Sequence, residues 1–271
     1  MATNADAVRA LEYAGWERVA TRYNDAFADA TLRFLPALLD AANVSRDKRV
    51  LDVACGPGYA ASAAAARGAK VRGLDFSPAM LAIARTRHPD LEFAQGDAEA
   101  LPYADAGFDC VVSNFGVHHF PNLVRALSEA RRVLAPGGRI AFTTWAAPED
   151  NVAWQLVFDA VGAHGDLGAV KDMPPGGMLN ARDACMNALA AASFADPYVV
   201  LQREVWPLSR PEELIERLRQ GTARMAGLIS AQDPALLPRI VAHVAQQAEQ
   251  YRRGDRFLMP IAALVASAVK T

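Results

Sequence analysis

Cysteine is scarce in this sequence. Cys55, Cys110 and Cys185 are the only three in 271 residues, at spacings that fit neither a disulfide framework nor a metal-ligand set. Cys55 falls inside a glycine turn and Cys110 inside an apolar run, so both are expected to pack as small residues rather than act as nucleophiles or ligands. An excess of charge of one sign is also missing. With Lys+Arg 28 against Asp+Glu 30, the formal net charge of −2 gives no electrostatic reason to expect nucleic acid or an anionic membrane as a partner. The arginine pairs Arg131–Arg132 and Arg252–Arg253 are too short for a basic patch and read as solvated helix faces. No apolar run is long enough to span a bilayer. Residues 1–30 carry charges throughout, with no apolar stretch of the secretory kind, so a cytoplasmic location is expected.

Apolar residues are plentiful. At 52% hydrophobic the chain can bury a substantial core, either as one large α/β domain or as a core domain carrying a small cap. The most informative stretch is 49–59, RVLDVACGPGY. Val50, Leu51 and Val53 read as a short buried strand. Gly56 and Gly58 then allow a sharp turn and a close approach to a ligand. The alanine-rich segment 59–67 favours helix, closed by Gly68 at a C′ position. Strand, glycine turn and helix in this order build a nucleotide site in an open α/β sheet.

Gly56, Gly58 and Ala61 also satisfy a relaxed dinucleotide fingerprint, which alone is a weak signal. Asp52, four residues before Gly56, separates the readings. A carboxylate there repels a pyrophosphate and attracts a ligand ammonium. The stretch resembles motif I, D/E-x-G-x-G-x-G, of the class I S-adenosylmethionine (SAM)-dependent methyltransferases. Asp52, Gly56 and Gly58 match, and Ala54 stands where the family has its first glycine.

Further segments carry the resemblance along the chain. Residues 70–74 read as a second strand ending at Asp75, 19 positions beyond Gly56, where a carboxylate can accept hydrogen bonds from both ribose hydroxyls of SAM or of NAD. Ser77 and Pro78 supply a cap for the next helix, which leaves Asp75 for function. Phe76 and Met80 are candidates to flank an adenine. After a third strand at 91–94, the segment QGDAEALP at 95–102 resembles the family's G-D-A-x-x-L-P. The resemblance assigns Asp97 to the adenine amino group and the backbone N–H of Ala98 to a ring nitrogen. A fourth strand at 108–113 leads into NFGVHHFP at 114–121, which resembles motif IV, and by that comparison Asn114 and Phe115 face the methionine portion and the methyl group. His118 and His119 are adjacent, with no third ligand at a supporting spacing for a metal. Either is a candidate base or pocket wall, and a local hydrogen-bonding role is equally open. The turn APGG at 135–138, between a helix at 123–134 and a fifth strand at 139–145, matches the family's structural L-x-P-G-G turn.

On the flanks, 7–42 is helical in pattern, with Trp16, Val19 or Ala20, Tyr23 and Phe27 on one face. The plain expectation is a helix pair on the sheet; the functional one is a lid whose Tyr23 closes over the cofactor. Beyond Trp145 the sequence predicts helices at 151–163, 181–192, 211–229 and 234–253, a Pro/Gly-rich loop at 171–179, and strands at 198–203 and 257–269.

The resemblance implies a Rossmann-like α/β fold, a seven-stranded mostly parallel sheet with helices on both faces plus a helical cap. Within one domain it places the core at 43–204 and 256–271, lid helices at 7–42 and a mobile cap at 205–255. It also implies SAM as cofactor, S-adenosylhomocysteine as product, and no metal. Within the class the likeness is to ubiquinone/menaquinone-biosynthesis-type small-molecule methyltransferases. That likeness concerns the SAM half; the apolar cap residues Trp154, Phe158, Met173, Met178, Met225 and Leu228 point to a small apolar or aromatic methyl acceptor rather than a protein or nucleic acid. An NAD-linked oxidoreductase and a SAM-fold protein that binds cofactor without transferring methyl are the alternatives.

Overall fold

The computed structural model describes residues 4–170 and 179–271. Its strands are β1 (Arg49–Val53), β2 (Lys70–Asp75), β3 (Glu92–Gln95), β4 (Phe108–Asn114), β5 (Leu134–Trp145), β6 (Ala195–Leu208), β7 (Arg252–Arg253) and β8 (Arg256–Val269). They form one sheet in the order β3-β2-β1-β4-β5-β8-β6, with the two-residue β7 paired to β8 off that path. β1 pairs in parallel with β2 and β4, β2 with β3, and β4 with β5, while β8 runs antiparallel to β5. The order reverses between β1 and β4, and at such a switch point the carboxyl ends of the strands leave a crevice for a ligand.

Helices α1 (Asn4–Ala26), α2 (Ala28–Thr31), α3 (Leu35–Ala41), α4 (Tyr59–Ala66), α5 (Pro78–Arg87) and α6 (Leu123–Val133) lie in the first half of the chain. α7 (Val152–His164), α8 (Arg182–Ala191), α9 (Glu213–Gly221), α10 (Ala223–Ser230) and α11 (Leu237–Ala248) follow. The chain divides into two compact units. One comprises Thr31–Trp145, Gly177–Gln202 and Ala263–Thr271, the other Met1–Ala30, Ala146–Gly176 and Arg203–Ala262.

In the sheet unit the two-residue period of the strands sorts side chains onto two buried faces. Val50, Cys110, Val112 and Ala141 join Leu35, Leu38 and Leu39 of α3 and Ala60 and Ala64 of α4 in one cluster. Leu51, Val111, Ile140 and Phe142 point the other way, against Ala126, Leu127 and Ala130 of α6 and Cys185 and Leu189 of α8. Covering both faces is what a parallel sheet of near-continuous apolar strands requires. The helix ends follow their sequence signals. The Ser77 hydroxyl accepts the Met80 N–H at the head of α5 with Pro78 in its first turn, and Gly68 is left-handed (φ +82) just past α4.

The helical unit packs α1 on α9 and α10, and α7 on α11. A Cβ on Gly15 would lie 2.8 Å from the Cβ of Ala223, so glycine there sets how closely α1 approaches α10. Buried Glu12 pairs with Arg224 at 2.6 Å. Asp29 accepts the Trp206 indole N–H at 3.0 Å and pairs with Arg217 at 2.9 Å.

Three sequence expectations need correction. β5 starts at Leu134 rather than at 139, because the Pro-Gly-Gly turn is drawn into pairing: Gly137 N–H donates to the Lys270 carbonyl and Lys270 N–H to that of Gly138. The helix expected over 211–229 is broken at Thr222, which is extended (φ −129, ψ 138). Residues 205–208 continue β6, with Trp206 fully buried, so the inserted helices begin after them. The expected loop at 171–179 lies outside the described residues except for Leu179.

Candidate functional site

The carboxyl ends of β1 to β4 carry the sequence-predicted residues. Asp52, in register with Gly73 of β2 and Val112 of β4, has no solvent exposure. Its Oδ2 accepts the Ala61 N–H from the first turn of α4 at 2.9 Å, while Oδ1 is buried with no hydrogen-bond partner among the described residues. Burial pushes the Asp52 carboxyl up to about 8; the Ala61 N–H opposes the rise and the nearby Asp75 charge adds to it. The unpartnered oxygen leaves room for one further hydrogen bond, and a cationic donor there would favour the ionised acid.

After Asp52 the backbone turns left-handed at Ala54 (φ +55), Gly56 (φ +52) and Gly58 (φ +83). The two glycines differ in role. Among the described residues a Cβ on Gly56 would meet nothing within 4 Å, so this is a face of the turn that a ligand can approach. A Cβ on Gly58 would lie 2.7 Å from the Phe93 ring, so this glycine serves packing and backbone shape rather than ligand approach. Ala54 takes a conformation that glycine adopts freely, a strain of roughly 1 kcal/mol.

Asp75, only 4% exposed, ends β2. Its Oδ2 accepts the Gly56 N–H at 2.7 Å and its Oδ1 the Ser77 N–H at 2.9 Å. The carboxylate therefore ties the glycine turn to the head of α5, a structural duty the sequence did not reveal. Phe76 is half-buried, its carbonyl accepting from Gln95 Nε2 at 3.2 Å, and Met80 is buried. At the end of β3 the Gly96 N–H donates to the Asp75 carbonyl at 3.0 Å, which brings Asp97 and Ala98 to the same edge. Asp97 Oδ1 accepts the Glu99 N–H at 2.8 Å in a local turn, and Ala98 is buried.

Asn114 ends β4, paired in register with Thr143 of β5. Its Oδ1 accepts the Thr143 hydroxyl proton at 2.8 Å. Phe115 follows in a left-handed conformation (φ +56), stacked on Trp145 with ring centroids 4.0 Å apart. Phe34 meets both rings edge-on, at 5.4 and 5.9 Å. A Cβ on Gly116 would lie 2.6 Å from that of Ala54, so the turns after β1 and β4 touch. His118 and His119 sit in the short turn Val117–His119, half-buried, with ring centroids 4.1 Å apart.

The structure thus gathers Asp52, Ala54, Gly56, Gly58, Asp75, Phe76, Met80, Asp97, Ala98, Asn114, Phe115 and the histidine pair along one edge of the sheet unit. Tyr23 belongs to α1 of the helical unit, edge-on to Trp16 at 5.9 Å and to Phe27 at 6.0 Å. Sequence reading missed Thr143, Trp145 and Phe34. Thr143 could have been found by pairing β5 against Asn114; Phe34 had no signal beyond its helical pattern. Cys55 is buried beside the turn, and burial raises its thiol well above the ordinary range, which disfavours a nucleophilic thiolate. Among the described residues no group of three or more His, Cys, Asp or Glu could hold a metal ion. No helix among them is long and apolar enough to cross a membrane.

Known proteins resemble this chain in sequence and in fold. A methyltransferase domain family matches residues 51–142. The demethylmenaquinone methyltransferase of Chlorobaculum parvum is 51% identical over 94 residues, a match covering 34% of this chain and 39% of that protein. The chain thus spans well under half the length of that relative. The Thermus thermophilus protein of the same name is 37% identical over 188 residues, 64% of this chain and 86% of that one. Among solved structures, YcgJ from Bacillus subtilis superposes with a TM-score of 0.60 at 19% identity, over 88% of this chain and 98% of that one, a likeness of fold. A relative matched at this identity over most of its length, on a sheet of this order with an acid–glycine turn at its switch point, shows that the chain belongs to the class I SAM-dependent methyltransferases.

Proposed function

We propose that this protein transfers the methyl group of SAM to a small apolar or aromatic organic acceptor. The observation that carries the reading is the buried Asp52 Oδ1 without a hydrogen-bond partner among the described residues, at the end of the strand that leads into the Gly56 turn. A buried carboxyl with an unpartnered oxygen favours the ammonium of an amino-acid moiety and disfavours a pyrophosphate. In this reading Asp52 holds the ammonium, and Ala54, Gly56 and Gly58 form the turn beneath the ligand. Asp75 takes the ribose hydroxyls. Phe76 and Met80 flank the adenine, with Asp97 and the Ala98 N–H on its edge, and Asn114 and Phe115 face the methionine portion. Tyr23 is assigned to the cofactor as well.

SAM supplies a methyl sulfonium whose leaving group is a neutral thioether, so the protein need not create an electrophile. The chain's task is to orient the acceptor and exclude water, for which the Phe34–Phe115–Trp145 cluster provides an apolar wall. His118 or His119 takes a proton where the acceptor is a hydroxyl or an acidic carbon. Acceptor choice is assigned to the helical unit, whose apolar side chains include Trp154, Phe158, Met225 and Leu228.

Titration calorimetry with S-adenosylhomocysteine and with NAD tests the cofactor, and tighter binding of NAD would overturn it. Methyl transfer from labelled SAM across a panel of phenols, quinols and carboxylic acids tests the reaction. Cofactor binding with no transfer to any of them would instead support a cofactor-dependent protein of other chemistry.

A further inference from the structure

We propose that Thr143 is the positioning residue of the methyl-donor site: its hydroxyl holds the strained turn at Phe115 and fixes which way the Asn114 amide points. The proposal rests on the SAM reading for what the turn serves, but its geometry stands apart from it. Thr143 has no exposure, so it touches no ligand and acts only through its neighbours. Its Oγ1 accepts the Phe115 N–H at 2.8 Å, and that lone pair is thereby used. Its single proton then goes to Asn114 Oδ1 at 2.8 Å. One hydroxyl satisfies a backbone donor and a side-chain acceptor at once, and neither bond can be made by an apolar residue of the same shape.

Two consequences follow. Phe115 holds φ +56, an unusual conformation for a bulky side chain, which persists only where its surroundings over-determine it. Two of those surroundings come from one face of β5, because Thr143 and Trp145 are two residues apart and point the same way. The hydroxyl fixes the Phe115 backbone, and the Trp145 indole stacks on the Phe115 ring at 4.0 Å. The second consequence concerns Asn114. With Oδ1 turned to Thr143, its Nδ2 must face the other way, where its protein contact is a long bond of 3.4 Å to the Thr31 carbonyl. The end of β4 therefore presents N–H donors rather than a carbonyl oxygen. That choice suits an anionic or carbonyl oxygen of the ligand, such as the methionine carboxylate.

The test uses the full chain with Thr143→Val and Thr143→Ser. Two readouts are followed: amide hydrogen exchange at Phe115 without ligand, and S-adenosylhomocysteine affinity by calorimetry. In the wild type the Phe115 amide should be strongly protected. Thr143→Val should speed its exchange by about tenfold or more and weaken S-adenosylhomocysteine about tenfold, the loss expected for unmade buried hydrogen bonds. Thr143→Ser keeps the hydroxyl and should restore both to near wild type, which a purely packing role for the lost methyl would not do. Asn114→Asp keeps an acceptor toward Thr143 but removes the N–H donors. It should retain protection at Phe115 while losing affinity, and it serves where the valine variant does not fold. An unprotected Phe115 amide in the wild type would sink the proposal, as would unchanged protection in Thr143→Val or failure of serine to rescue. A wild type that binds no S-adenosylhomocysteine counts against the SAM reading alone, since the exchange experiment still decides the role of Thr143.

Discussion

Replacing Asp52 by Asn separates the ligand-free protein from its complex. In the free protein the carboxyl, fully buried and with one oxygen unpartnered, is pushed up to about 8 and is largely neutral at pH 7. Asparagine is also neutral and keeps an oxygen for the Ala61 N–H, and unlike the acid it takes up no proton on folding, so the variant should be more stable than the wild type at pH 7. The complex is different. An ammonium at Oδ1 favours the ionised acid, and losing that charge-assisted bond should cost about 1.5–3 kcal/mol, roughly ten- to a hundredfold in affinity.

With the ammonium on Asp52 as proposed, binding would expel the Asp52 proton, so wild-type affinity should rise by up to about tenfold per pH unit as pH approaches 8. The Asn variant should lack this rising limb; a fall at higher pH, where the ligand's own ammonium deprotonates, is common to both. Stability runs the opposite way. The folded state keeps a proton that the unfolded chain releases, so the wild type should lose stability relative to Asp52→Asn as pH rises from about 4 to 8. Calorimetry with S-adenosylhomocysteine from pH 6 to 9 and thermal melts over the same range measure both. Identical pH profiles for the two proteins would refute the assignment of the ammonium to Asp52.

Other substitutions probe the same edge. Asp75→Ala should lower the melting temperature as well as the affinity, because it strands the N–H groups of Gly56 and Ser77; a cost of about 1–3 kcal/mol per buried group is expected. A variant that binds weakly but melts like the wild type would show those two bonds to be dispensable. Ala54→Gly should be neutral or stabilising by up to about 1 kcal/mol in denaturant titration, since glycine takes φ +55 without strain; clear destabilisation would contradict the left-handed turn. Gly58→Ala should destabilise by about 1–3 kcal/mol through its clash with Phe93. Gly56→Ala, facing open space, should cost less stability and more affinity. Equal melting temperatures for the two glycine variants would remove the distinction between them.

The fold was readable because its signals are local and repeated. Apolar strand segments recur between helical patterns, and Ser77-Pro78 and Gly68 punctuate α5 and α4 where their backbone chemistry requires. What escaped depended on pairing across the sheet. Thr143 is one more residue of an apolar-flanked strand until its register with Asn114 is known. Gly58 reads as a ligand-facing glycine until Phe93, 35 positions on, is found beside it. The start of β5 was misplaced for the same reason: Pro136-Gly137-Gly138 is a turn by local propensity, and the backbone of Lys270 overrides it. The division of the chain into a sheet unit and a helical unit, each built from three separate segments, likewise depends on contacts that sequence periodicity does not encode.

The antiparallel strand beside β5 also sets the order in which the molecule can be made. Trp145 pairs with Ala263 and Arg139 with Val269, roughly 120 positions downstream along the chain. β1 to β5 can assemble from nearby segments as they are synthesised, but β8 separates β5 from β6 in the sheet order. Until it arrives, β5 and β6 each present an open row of backbone donors and acceptors to the cell. The growing chain therefore carries its greatest aggregation hazard late in synthesis, with most of its core already formed. A nonsense or frameshift lesion upstream of 263 should yield an insoluble product rather than a shortened, folded one.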